Sequence, residues 1–209
     1  MLHSEDPRAA LSWVIHDIHQ RGWAMGTGGN FSLVLEREPL RLLMAPSGVD
    51  KGLVTATELI EVGPTGQVLS GAGQASAETA LHLAILRETG AASVLHTHSV
   101  FATLLSTMYV AQGELAIAGF EMLKGLESIT SHRATVLIPI LPNDQDMTQV
   151  GKAVTERLHQ QNPRPYGVLL AGHGLYTWGD SLFQARRHLE ILEFSFELLY
   201  RKMTVQPVT

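Results

Sequence analysis

Apolar positions recur along this chain in two alternating rhythms. Over 7–22, Leu11, Val14, Ile15 and Ile18 fall three to four residues apart, the spacing of one helix face. Pro7 suits a first helical turn and Gly22 a terminus. Helical spacing returns over 77–89, with Ser76 as the expected N-cap, from 99 to about 110, and over 144–161 through Val150, Val154 and Leu158. A long final helix is expected behind Asp180 as its cap, with Leu182, Ala185, Leu189, Leu192, Phe196 and Leu199 as its apolar stripe. Between these helices lie short apolar or β-branched runs of strand length: 31–35, 41–45, 60–62, 67–70, 93–98, 134–140 and 168–171, the last extended by 176–178. Strands and helices are mixed without a strict βα repeat. That order predicts an α/β protein, a three-layer α/β/α sandwich around a mostly antiparallel, mixed sheet rather than a doubly wound Rossmann domain. No repeat, low-complexity tract or linker divides the 209 residues, a length that suits one domain with a full core.

Composition narrows the partners. Apolar residues make up 45% and charged residues 17%, a globular balance that leans weakly toward surface buried in an oligomer. A net charge of −5 without any basic block offers no electrostatic case for nucleic acid or a membrane surface. No apolar stretch reaches spanning length, and residues 1–8 lack the apolar centre of a signal peptide, so the cytoplasm is the expected setting. Cysteine is absent. That removes a disulfide framework, a thiolate nucleophile and Cys-based zinc sites, and leaves any metal to histidines and carboxylates.

The sharpest chemical feature is His96-Thr97-His98 at the end of a buried run. Residues two apart on a strand share a face, so the two imidazoles would project side by side. Such a pair is either half of a metal site or two hydrogen-bonded core histidines, and spacing alone does not choose. His173, flanked by Gly172 and Gly174 at a strand end, is either a third ligand or a turn histidine capping carbonyls. Three imidazoles with an open position would make a catalytic rather than a structural metal site. Glu78 lies in the first turn of its expected helix, as a dipole-stabilising acid, a ligand or a proton-transfer base. Thr27-Gly28-Gly29-Asn30, Ser47-Gly48 and Ser76 carry the amides, hydroxyls and carboxamide that cradle an anion, although each alone reads as an ordinary turn. Glu121, in Gly119-Phe120-Glu121-Met122-Leu123-Lys124-Gly125, is either an acid/base raised by apolar neighbours or a solvated charge paired with Lys124. His16, His19, His82, His132, His159 and His188 have no such partner spacing and read as structural or surface groups.

Taken in order, Thr27-Gly28-Gly29-Asn30-Phe31-Ser32, Ala45-Pro46-Ser47-Gly48, Ser76-Ala77-Glu78, His96-Thr97-His98 and Gly172-His173-Gly174 resemble the class II aldolase/adducin family over nearly the whole chain. The resemblance implies the same three-layer fold, usually a homotetramer with sites near subunit interfaces. It implies one Zn²⁺ or similar divalent ion per subunit on His96, His98 and His173, and a sugar-phosphate substrate held by Gly28, Gly29, Asn30, Ser47, Gly48 and Ser76. Ala77 stands where sugar-phosphate aldolases carry a second serine, which removes one phosphate hydroxyl. The Glu121 segment looks most like that of members that dehydrate 5-methylthioribulose 1-phosphate, where the matching glutamate is the acid/base; Gly119 and Phe120 depart from the His-Gln of some members. The activity implied is loss of water to give 2,3-diketo-5-methylthiopentyl 1-phosphate in methionine salvage, with Zn²⁺ as Lewis acid. The group that removes the C3 proton stays open between Glu78, Glu121 and a metal-bound water. Sugar-phosphate aldol cleavage or epimerisation is the alternative, and a metal-free adducin-like module is disfavoured because all three histidines are present.

Overall fold

In a computed structural model that describes residues 6–205, the elements run in chain order: α1 Pro7–Gln20, β1 Asn30–Arg37, β2 Leu40–Met44, β3 Ile60–Val62, β4 Val68–Ser70, α2 Thr79–Thr89, β5 Ser93–Thr97, α3 Val100–Tyr109, β6 Glu114–Ile117, β7 Val136–Leu141, α4 Met147–Gln160, β8 Gly167–Leu170, β9 Gly174–Gly179 and α5 Leu182–Thr204. Short 3-10 turns lie at Ala56–Glu58, Val110–Gln112 and Glu121–Gly125. The strands form one sheet in the order β4-β3-β2-β1-β5-β9-β8-β7-β6. Of its neighbouring pairs only β7 and β8 run parallel, so the sheet is mixed and mostly antiparallel, as expected.

Strand alternation divides the core in two. Leu43, Leu95, Leu169 and Leu175 pack with buried residues of α1, α3 and α5, among them Ile15, Leu105 and Phe196. Leu42, Val94, Val168 and Tyr176 pack on the other face with Leu83 of α2 and Val154 of α4. These two faces are the outer layers of an α/β/α sandwich. Each fully buried Leu, Ile or Phe contributes about 1.5–3 kcal/mol, so the two clusters together outweigh any single polar contact in holding the layers.

Several boundaries differ from those expected. Ser76 is not the N-cap of α2; Glu78 occupies that position, and the Ser76 hydroxyl accepts the Glu78 N–H at 3.2 Å. α5 is capped by Ser181, which accepts from the Gln184 amide, rather than by Asp180. β5 stops at Thr97, leaving His98 just beyond the ladder. Residues 176–178 do not extend the preceding strand: the chain reverses at Gly172-His173 and returns as β9, antiparallel to β8. β6 was not expected, because four residues at the sheet edge carry too short an alternation to read.

Candidate metal centre

β5 lies between β1 and β9 at the middle of the sheet, and the centre forms where its C-terminal end meets the β8–β9 turn. His96 is fully buried. Its Nδ1 donates to the Leu175 carbonyl at 2.9 Å, which assigns the proton to Nδ1 and leaves Nε2 a lone pair. Tyr176 stacks flat on its ring, with centroids 3.8 Å apart. His98 follows the strand, its backbone N–H donating to the Trp23 carbonyl at 2.8 Å. His173 comes from the turn, where its own N–H donates to the Leu170 carbonyl at 3.0 Å. Gly174 is demanded by the close approach of β5, since a Cβ there would overlap the Thr97 carbonyl.

The three rings converge. His96 Nε2 lies 2.8 Å from His98 Nε2 and 3.3 Å from His173 Nε2. Glu78, at the start of α2, places Oε1 2.9 Å from His173 Nε2 and 3.7 Å from His96 Nε2, while Asn30 Nδ2 donates to its Oε2. One ligand atom from each of Glu78, His96, His98 and His173 lies within 4.8 Å of the others. The donor set fits a divalent cation. The His96 Nε2 lone pair faces two further imidazole nitrogens. A carboxylate adds the negative charge that such a cation requires.

Electrostatics prepare the groups for that role. Burial, with His98 and His173 adding to it, holds His96 well below the ordinary imidazole pKa. Burial and His173 lower His98. Both are therefore neutral at pH 7, the form that binds metal. For Glu78 burial opposes ionisation, but the hydrogen bond from His173 and the potential of His96, His173 and His82 outweigh it and hold the carboxyl well below its usual range. His82 is buried outside the cluster, paired with Ser32 Oγ at 2.8 Å and pushed down to about 4 by burial, in keeping with a structural role.

The glycine-rich turns reach the same place. Gly28 packs on His98, where a Cβ would stand 2.9 Å from Nδ1. Asn30 contacts Glu78 directly, and the Ser47 amide donates to the Gln74 carbonyl at 2.8 Å, tying that turn to the segment before Ser76. Gly48 has a positive φ of 75° and open space on its Cβ side. The amides of Gly28 and Ser47 are taken by backbone carbonyls, so these two do not offer the free N–H groups expected of an anion cradle.

Glu121 is not among the carboxylates of the cluster. It opens a 3-10 turn with its side chain 69% exposed, 2.7 Å from Lys124 Nζ and 3.5 Å from His132 Nδ1. Of the two readings of Glu121 the structure shows the solvated charge paired with Lys124: the hydrogen bond and charge of Lys124 hold its carboxyl below the usual range, because its apolar neighbours do not enclose it. Three other groups escaped the sequence reading. Tyr176 backs His96; Lys51 is buried beside the glycine turns; and Glu193, 2% exposed on α5, accepts from the Thr97 and Ser99 hydroxyls. Burial pushes Glu193 up to about 7. An acid beside the apolar stripe of the last helix was the signal for Glu193; Lys51 had none beyond its nearness to Ser47-Gly48.

Known proteins resemble this chain over most of its length. The sequence profile of the class II aldolase and adducin N-terminal domain matches residues 9–200. A methylthioribulose-1-phosphate dehydratase of Serratia proteamaculans is 42% identical over 200 residues, covering 94% of this chain and 95% of its own. One of Pectobacterium carotovorum is 46% identical, covering 90% of each chain. Among solved structures, L-fuculose-1-phosphate aldolase of Thermus thermophilus superposes with a TM-score of 0.72 at 27% identity, covering 93% of this chain and 94% of its own. No helix among the described residues is long and apolar enough to cross a membrane. With a profile match over nearly its whole length and the histidine cluster assembled at the sheet's centre, the chain belongs to the class II aldolase and adducin family, whose metal-dependent members its candidate site resembles.

Proposed function

We propose that this chain is a hydro-lyase that removes water from 5-methylthioribulose 1-phosphate and yields 2,3-diketo-5-methylthiopentyl 1-phosphate. The convergence of three imidazole nitrogens and the Glu78 carboxylate supports metal-assisted chemistry beside a carbonyl, which aldol cleavage and dehydration share; the similarity to dehydratases favours loss of water. Similarity to dehydratases of that name over nine-tenths of both chains supports the substrate. His96, His98 and His173 would hold one Zn²⁺ per subunit, a Lewis acid that acidifies the proton beside the substrate carbonyl.

Glu78 is ionised and hydrogen-bonded by Asn30 and His173, which supports assigning it, in this reading, the C3 proton. Glu121 serves the C4 hydroxyl as acid/base. Glu121 is exposed and outside the cluster, so in this reading it acts at a site completed by a neighbouring copy of the homotetramer that the family resemblance implies. Gly29, Asn30, Gly48, Ser76 and the Ser47 hydroxyl would receive the phosphate and orient the reacting carbons, while Gly28, whose amide is already bonded to the Met25 carbonyl, shapes the turn beside His98. The cytoplasm is the setting this reading carries with it.

Incubation of the zinc-loaded protein with 5-methylthioribulose 1-phosphate tests the reading. A diketone of the full carbon skeleton is the expected product; two smaller carbonyl fragments would make the protein an aldolase and overturn it.

A further inference from the structure

Lys51 is buried to 1% exposure, and its Nζ donates to two backbone carbonyls, Thr27 at 2.9 Å and Val49 at 3.1 Å. Among the described residues no carboxylate forms an ion pair with it; Glu78 and Asp50 act on it only through space. Burying an ammonium on neutral partners alone is costly, and a neutral donor would tie two loops together at less cost. The two carbonyls identify what the charge serves. Thr27 opens the turn that contains Gly28, Gly29 and Asn30, and Val49 follows directly on Ser47-Gly48. An ammonium has three N–H groups, of which these carbonyls take two. Thr27 adjoins Gly28, which packs on His98, so Lys51 braces a turn that borders the metal centre.

We propose that Lys51 is the positioning residue of the phosphate subsite: it clamps the Thr27 and Val49 turns together and places a positive charge beneath the groups that receive the substrate's phosphate. This inference rests on the phosphate-binding reading above. It assigns the subsite's charge to a lysine that touches the turns rather than to a residue within them.

The test is Lys51→Met in the zinc-loaded protein, read in four ways: kcat and KM on 5-methylthioribulose 1-phosphate, Ki of inorganic phosphate, kcat/KM on unphosphorylated 5-methylthioribulose, and bound metal. KM and the phosphate Ki are expected to rise about tenfold or more while kcat changes less. The unphosphorylated compound should be handled within about threefold of wild type, with metal content unchanged. A KM and Ki within about twofold of wild type, or an equal loss on both compounds, overturns the proposal. If the variant does not fold, Lys51→Cys takes its place, since the chain contains no other cysteine. Alkylation in denaturant with 2-bromoethylamine, then refolding, rebuilds an ammonium of nearly lysine length; iodoacetamide adds a neutral group. Phosphate inhibition restored only by the charged adduct supports the proposal, and equal behaviour of the two adducts overturns it. If wild type is not inhibited by phosphate and does not prefer the phosphorylated compound, the subsite reading itself fails, and Lys51 loses its role with it.

Discussion

His96 and Glu121 differ in what holds them, and the difference predicts different outcomes on substitution. His96 is fixed by a strand ladder, a carbonyl at Nδ1 and a stacked tyrosine, so its removal leaves a hole that no neighbour fills. His96→Ala is expected to carry less than about a tenth of an equivalent of metal and to lose turnover about a hundredfold or more, as metal analysis and product formation will show. Glu121 lies outside the ligand group, so Glu121→Gln should keep full metal and lose about 10²-fold or more in kcat. Retained activity in that variant would remove Glu121 from the mechanism. At this scale the pairing of His96 with His98 was legible, since a two-residue spacing on a strand is a local property. The ionisation of Glu78 and the exposure of Glu121 were not, because both depend on groups distant in sequence.

At the scale of elements, the centre is braced by β5, β9 and α5. Gly174→Ala would drive a methyl group into the Thr97 carbonyl on the neighbouring strand. A destabilisation of about 2 kcal/mol or more is expected in urea unfolding, with lowered metal affinity because His173 precedes the displaced residue. Glu193 joins α5 to the residues on either side of His98 through two hydroxyls. Its pKa is raised from 4.5 to about 7 by burial, so the folded chain keeps a proton that the unfolded chain gives up. The associated stability is therefore full at and below pH 4.5 and is lost as pH rises to about 7. Unfolding free energies of wild type and Glu193→Gln, compared at pH 5 and pH 8, should differ in their pH dependence by on the order of 3 kcal/mol. Equal slopes would mean that Glu193 does not retain its proton. The helices and most strands were legible because periodicity is written in consecutive residues. The caps at Glu78 and Ser181 were displaced from Ser76 and Asp180 because adjacent polar residues compete for one N-terminus and packing selects between them.

For the whole molecule, the cluster joins parts of the chain that only the fold brings together: Glu78 before α2, the end of β5 and the β8–β9 turn. An ion held there links those segments in the folded state and has no equivalent site in the unfolded chain. Removing the metal with a chelator is expected to lower the melting temperature by about 10 °C, and added Zn²⁺ should restore it. An unchanged melting temperature would show that the histidines hold no ion tightly. Taken by itself, the order of residues determined the secondary-structure rhythm, the layered class and which three histidines are candidate ligands, since each of these rests on local spacing or on motifs read in sequence. Only the tertiary structure decided that β9 turns back as its own strand, that Glu78 completes the histidine cluster, that Lys51 is buried under two glycine turns and that Glu121 stands away from that cluster in solvent. Burial and long-range pairing set these outcomes, and neither is a property of any short stretch of chain.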